Sequence, residues 1–235
     1  MMTLQSELLL SIPNIQHGFG SAFEPVPSDF IEVWKKSSPV HRQVHGTAWA
    51  YVQSPGQACG EVDTLFTDQA GLPVGVMTAD CVPILLAQSS GEWVASVHAG
   101  WRGTMKHSLV KLWEEFDQRG HNPKDWVAAI GPAIGPCCYQ VSSALVKEFK
   151  KEFLYLDPHG EWIEPRPDRL DLQAIHEAEL KQIGLQRVQR LRYCTFCSRD
   201  PQFHSYRRNA AGAGRQWSMI KRALSRTAPG RSKDS

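Results

Sequence analysis

No run of apolar residues in the 235-residue chain approaches the roughly 20 needed to span a bilayer. Leu8-Leu9-Leu10 is too short for the core of a secretion signal, and no basic residue precedes it. Charge of one sign is also scarce, because 26 Lys and Arg face 24 Asp and Glu for a formal net charge of +2. That excess is too small to imply a nucleic acid or an anionic membrane as partner. A cytoplasmic location is expected. Cysteine is sparse as well. The six, at 59, 81, 137, 138, 194 and 197, are too dispersed for the disulfide framework of a small secreted domain. In a reducing compartment they are free, metal-bound or reactive. There is no internal repeat and no composition break, so residues 1–224 read as a single domain. The Ser/Arg/Lys-rich segment 225–235 reads as a disordered tail.

Hydrophobic residues make up 42% of the chain and charged residues 21%, enough apolar surface for a sizeable core. The chain is organised around VGVMTADCVPILLAQSSGEWVASVHAGWRG, residues 74–103. Near-continuous apolar runs bounded by Gly and Ser mark strands covered on both faces. One strand is expected over Leu72–Ala87, interrupted by Thr-Ala-Asp-Cys, and a second over Trp93–His98. Residues 41–51 read as a strand carrying His45, and 63–68 and 126–130 as further strands. Thr104 is expected to open a helix whose core face is Leu109, Leu112, Trp113 and Phe116, with Gly120 ending it. More helices are expected from Ser142 or Ser143 to Phe153 and from Asp171 to Gly184, with a strand at Val188–Tyr193. Strands and helices are interspersed without strict alternation, which favours an α+β domain of mixed sheets over a doubly wound parallel one.

Asp80, Cys81 and His98 have no packing use at strand ends. With His45, they offer two imidazoles and a thiolate, three corners of a tetrahedral zinc site whose fourth corner is open to water or substrate. Asp80 is the neighbouring base such a site would use. The competing reading without metal pairs Cys81 as nucleophile with His98, supported by Asp80 or His45. Arg102, with the backbone of Gly103 and Thr104 at a helix start, suggests an anion cradle. Trp101 offers a face for a flat ring. Arg207 and Arg208, near Gly212 and Gly214, offer a grip on phosphate or carboxylate. Cys194-x-x-Cys197 lacks a second close pair and reads as ordinary buried thiols at a strand end. The adjacent pair Cys137-Cys138 reads the same way, since neighbouring residues do not easily point at one metal.

QVHG (43–46), TADCVPILL (78–86), VHAGWRGT (97–104), AIGPAIGPCCYQV (129–141) and FHSYRRNAAGAGRQ (203–216) resemble the laccase-domain family. Its members have been called multicopper polyphenol oxidases, peptidoglycan editing factors and purine nucleoside phosphorylases. The match runs in order over residues 41–220. It implies a single α+β domain of layered sheets and helices, similar to the cytotoxic-necrotizing-factor-like Cys-His hydrolase fold. It also implies a zinc on His45, Cys81 and His98, the trio already reached from their chemistry. The implied activity is phosphorolysis of adenosine, inosine, guanosine and methylthioadenosine to base and ribose 1-phosphate, with adenosine deamination as a second reaction. The family usually follows its N-terminal His-Gly-Phe with an Arg and a Gly-Gly-Val-Ser segment that helps bind substrate. Here His17-Gly18-Phe19 leads instead into GSAFEPVPSDF.

A multicopper cluster needs many imidazoles, usually in His-x-His pairs. The chain has nine His and no such pair, so the oxidase reading is set aside. The expected function is a zinc-dependent purine nucleoside enzyme using Trp101, Arg102 and Arg207 for substrate. A Cys81/His98 amide hydrolase acting on a cell-wall precursor is the alternative, and a non-catalytic zinc-binding protein the third.

Overall fold

The computed structural model describes residues 3–224; the segment read as a tail lies outside them. Eleven strands and seven short helices are laid out along the described chain. The first part holds α1 (Glu7–Leu10), β1 (Ile15–Phe19), α2 (Ile31–Ser37), β2 (Val40–Arg42) and β3 (Trp49–Tyr51). The strand-rich middle follows with β4 (Ala58–Glu61), β5 (Thr64–Thr67), β6 (Val74–Thr78), β7 (Val82–Gln88) and β8 (Val94–Ala99). Next come α3 (Trp101–Met105), α4 (Ser108–Gln118), β9 (Trp126–Ile130), α5 (Ser143–Glu152) and α6 (Leu172–Ile183). The last part is β10 (Arg187–Arg190), α7 (Tyr206–Asn209) and β11 (Gln216–Arg222).

A six-stranded sheet in the order β10-β9-β7-β8-β5-β3 forms the centre. Its two outer pairs, β10/β9 and β5/β3, are parallel and its inner pairs antiparallel, so the sheet is mixed as expected. A three-stranded antiparallel sheet, β1-β11-β6, and a parallel pair, β2-β4, complete the set.

The alternation of β7 explains its unbroken apolar sequence. Ile84 and Leu86 pack with Leu109, Leu112 and Phe116 of α4, Phe149 of α5 and Ile175 of α6. Leu85 and Ala87 face the other way and pack with Leu9, Phe19, Val74 and Ile220. The central sheet is therefore covered by helices on one face and by the small sheet and N-terminal segment on the other. Each of these fully buried Leu, Ile and Phe side chains contributes about 1.5–3 kcal/mol of burial.

Three expectations are corrected. The run Leu72–Ala87 is two strands in different sheets, because the turn around Asp80, with φ of 91°, redirects the chain. Residues 41–51 are two short strands, with His45 outside both in the left-handed region at φ 59°. The helix expected from Thr104 begins at Trp101 and is broken at His107, also left-handed at φ 55°, before α4 starts.

Candidate metal and active site

Antiparallel pairing of β7 with β8 sets Val82 opposite Ala99 and Pro83 opposite His98. Cys81, one step before β7, is thereby brought to the end of β8 that carries His98. On the other side of β8, β5 pairs Thr64 with Val97, and the His98 N–H donates to the Asp63 carbonyl at 2.8 Å. The loop before β3 delivers His45. The outcome is that ligand atoms of His45, Cys81 and His98 all lie within 4.8 Å of one another. The His45 and His98 rings meet edge to face, with centroids 4.8 Å apart. His98 is buried, Cys81 half-buried and His45 exposed, so the set opens to solvent on the His45 side.

Asp63 organises this corner, and it was not singled out from the sequence. Its carboxylate is 1% exposed and accepts from His98 Nδ1 at 2.7 Å. It also accepts from the backbone N–H groups of Val44, His45 and Gly46 at 3.2, 2.9 and 2.7 Å. A carboxylate can only accept here, so His98 keeps a proton on Nδ1, and Nε2, which gives up its proton when a metal binds, is the ligand atom. The same group bends the His45 turn, whose left-handed backbone is uncommon for a non-glycine residue. Gln43 secures the turn from outside by exchanging two hydrogen bonds with the Met77 backbone, 2.7 and 2.9 Å.

Burial alone raises the Asp63 carboxyl, but the hydrogen bond from His98, the amides and the His98 charge hold it below its ordinary range. Burial likewise pushes the Cys81 thiol up. The His98 charge and hydrogen bonds from both histidines outweigh that and bring it down to about 6. His98 is lowered by burial and raised more by Cys81 and Asp63, ending at about 9. Gly100 is the wall of the set. A Cβ there would stand 2.9 Å from Cys81 Sγ and 2.9 Å from His45 Cδ2, closer than such contacts allow.

The donor set fits a zinc ion: a soft thiolate and two imidazoles, one oriented by a carboxylate, with no fourth protein donor grouped with them among the described residues. His45, Cys81 and His98 would hold the ion.

The other predicted residues fall around this centre. Asp80 is adjacent to Cys81, and both its oxygens are engaged. Thr195 Oγ1 donates to Oδ1 and the Arg207 N–H to Oδ2, each at 2.6 Å. Each oxygen keeps a lone pair for one further donor. The exposed Arg102 places its guanidinium carbon 4.4 Å from the centre of the Trp101 ring. The cradle expected at Gly103 and Thr104 is not at a helix start, since the Thr104 N–H already bonds to the Gly100 carbonyl at 2.9 Å. Arg207 donates from Nη1 to the Gln140 carbonyl and lies 5.4 Å over the ring of Tyr139. Arg208 is no anion grip, because its guanidinium is spent on the carbonyls of Thr195, Phe196 and Phe203. Tyr139 was also missed. Burial and the nearby Cys81 charge push its hydroxyl up to about 12, so it stays a proton donor at neutral pH.

Cys137, Cys138, Cys194 and Cys197, read separately as filler thiols, come together, with their sulfurs within 4.8 Å of one another. Adjacent Cys137 and Cys138 can share a centre because the chain turns tightly there: the N–H groups of Cys138 and Tyr139 both reach the Gly135 carbonyl at 2.9 Å.

Fold and donor set together define an α+β domain with a Cys-His metal-ready centre at the end of its main sheet. The chain belongs to the multi-copper polyphenol oxidoreductase laccase family, whose profile matches residues 29–223. It is 35% identical over 180 residues to a purine nucleoside phosphorylase of Deinococcus radiodurans, spanning 76% of this chain and 67% of that one. It is 34% identical over 167 residues to adenosine deaminase RL5 from an unknown prokaryotic organism, spanning 68% and 62% respectively. It thus spans no more than about two thirds of either relative. The crystal structure of YlmD from Geobacillus stearothermophilus matches with a TM-score of 0.75 at 26% identity, covering 95% of this chain and 99% of that one. No helix among the described residues is long and apolar enough to cross a membrane.

Proposed function

We propose that this chain is a zinc-dependent purine nucleoside phosphorylase with adenosine deamination as a side activity. Its substrates would be adenosine, inosine, guanosine and methylthioadenosine. The observation that carries this reading is the three-donor set His45, Cys81 and His98 with Asp63 behind His98. The relatives' names supply the substrate class. Zinc bound there would act as a Lewis acid toward the base or, for deamination, toward a water.

The chain's own residues do the rest. Breaking the glycosidic bond leaves positive charge on the ribose and negative charge on the departing base. Donors aimed at the base and an anion held on the ribose side stabilise both. Trp101 gives the purine an aromatic surface, while Arg102 and Arg207 carry the positive charge that holds phosphate. Tyr139, kept protonated, is a donor within the same corner. Asp80, held by Thr195 and Arg207, would act as the base beside Cys81.

The test is phosphate-dependent release of hypoxanthine from inosine by purified protein of measured zinc content. Cys81→Ala should abolish turnover along with its zinc. Full turnover by that variant with the metal gone would end the reading.

One observation favours a second reading. Asp63, His98 and Cys81 stand in the order carboxylate, imidazole, thiol, with His98 Nδ1 bonded to Asp63 at 2.7 Å, as in a thiol hydrolase. In that case the domain would be a Cys81/His98 amide hydrolase acting on a cell-wall precursor. A thiol hydrolase survives chelation and loses activity to alkylation; the phosphorylase loses activity to both.

A further inference from the structure

The second sulfur cluster is not used by either reading. It is built by the parallel pairing of β9 with β10, which sends the chain out of both strands in the same direction. The ladder continues past the strands as a bridge between Ala133 and Cys194, with the Thr195 N–H donating to the Ala133 carbonyl at 2.9 Å. Cys137 and Cys138 come from the loop after β9, and Cys194 and Cys197 from the loop after β10. Cys137 Sγ and Cys197 Sγ are 3.6 Å apart. A tetrahedral site with Zn–S bonds of about 2.3 Å has sulfur–sulfur edges of about 3.8 Å. A disulfide needs its sulfurs about 2.0 Å apart, and all four cysteines are free. Clusters of two or more irons also take four thiolates, but they spread them wider than a single ion does. Cys194 Sγ, moreover, already accepts an N–H bond from Gly135 at 3.3 Å, which stabilises a thiolate.

We propose that Cys137, Cys138, Cys194 and Cys197 bind one zinc ion as a closed structural site, separate from the three-donor centre. The four thiols give up their protons to solvent as they become ligands. The ion clasps the loop after β9 to the loop after β10. Those loops are the ones that hold Asp80: Thr195 lies between the two C-terminal cysteines and donates to its Oδ1, and the Ile134 N–H donates to its carbonyl at 2.9 Å. The clasp therefore positions Asp80 next to Cys81.

Zinc counted on the purified full-length chain should give two equivalents per protomer. His45→Ala/His98→Ala should keep one, and X-ray absorption on that variant should show four sulfur neighbours at about 2.3 Å. Cys137→Ser/Cys197→Ser should also keep one, that of the three-donor centre, and melt at a lower temperature than the parent. Should the serine variant fail to fold, mercurial titration of the His45→Ala/His98→Ala protein should release its single zinc as the thiols react. If that histidine variant holds no zinc, if its thiols are found as disulfides, or if the neighbours are nitrogen or oxygen, the proposal fails. Because the count is made with the three-donor centre removed, it stands or falls apart from nucleoside turnover.

Discussion

Two sulfur-bearing clusters sit at the same end of the central sheet, and they are assembled in opposite ways. His45, Cys81 and His98 arrive from three separate elements, and only three donors converge. The four cysteines arrive as two close pairs on neighbouring loops, and all four corners are filled by sulfur. The first set has a buried carboxylate behind it and an exposed histidine at its mouth. The second has backbone N–H groups against one sulfur, that of Cys194. A set that leaves one corner free, with its ligand orientation fixed from behind, is organised to react. A set that closes on itself is organised to hold two loops together.

The contrast breaks most sharply at Asp63. Asp63→Asn replaces an acceptor of four hydrogen bonds by a group that must turn an N–H toward at least one donor. Loss of an orienting carboxylate typically costs 10–100-fold in metal affinity or activity. The variant should lose zinc from the three-donor centre to that extent, measured by competition with a chromogenic chelator, while the cysteine site keeps its ion. Equal loss from both sites would mean that Asp63 supports the fold and not the centre.

Gly100 gives a smaller, purely steric version of the same contrast. Its backbone, at φ −80°, suits any residue, so alanine there brings no conformational strain. The added Cβ nevertheless meets Cys81 and His45 at 2.9 Å and must push one of them aside. Overpacking of this kind costs about 1–3 kcal/mol. Gly100→Ala should therefore reduce metal retention and turnover more than it lowers the melting temperature, as parallel zinc analysis and thermal denaturation would reveal.

The uneven legibility of the two clusters follows from how each is built. Cys81 and His98 stand out because reactive side chains interrupt apolar runs, and His45 because those two offer it partners. Asp63 does not, because an acidic residue just before a strand looks the same whether it caps a turn or is buried against an imidazole. Only the register of β5 on β8 separates those cases. The cysteine quartet was hidden for a different reason. Its two pairs are separated in sequence by α5 and α6, and the parallel β9/β10 pairing that unites them leaves no local pattern. The mixed α+β character was readable from interspersed periodicities. The division of Leu72–Ala87 between two sheets was not, since a run buried on both faces does not say which neighbours bury it.

The smallest expected effect lies in the polar chain that backs Gly100 from the helix side. Thr104 Oγ1 donates to the Gly100 carbonyl at 3.0 Å and meets His176 Nε2 at 2.9 Å; His176 Nδ1 in turn meets Glu179 Oε2 at 3.2 Å. His107 ends the chain, with Nδ1 3.0 Å from Glu179 of α6 and Nε2 2.8 Å from Glu152 of α5. The Phe153 and Tyr155 rings also pack against it. The hydrogen bond to Glu179 leads in raising His107, against burial and together with Glu152, from 6.5 to about 9. Between those values the folded chain holds a proton that the unfolded chain has released. The stabilisation is therefore complete below about pH 6.5 and fades as the pH rises through about 9. His107→Gln should melt lower than the parent at pH 6, and the gap should narrow steadily toward pH 9. A gap that stays constant across that range would mean His107 contributes by packing against Phe153 and not by its charge. Because the cysteine clasp has no such chain behind it, Cys137→Ser/Cys197→Ser set beside His107→Gln in the same melts should show no narrowing of this kind.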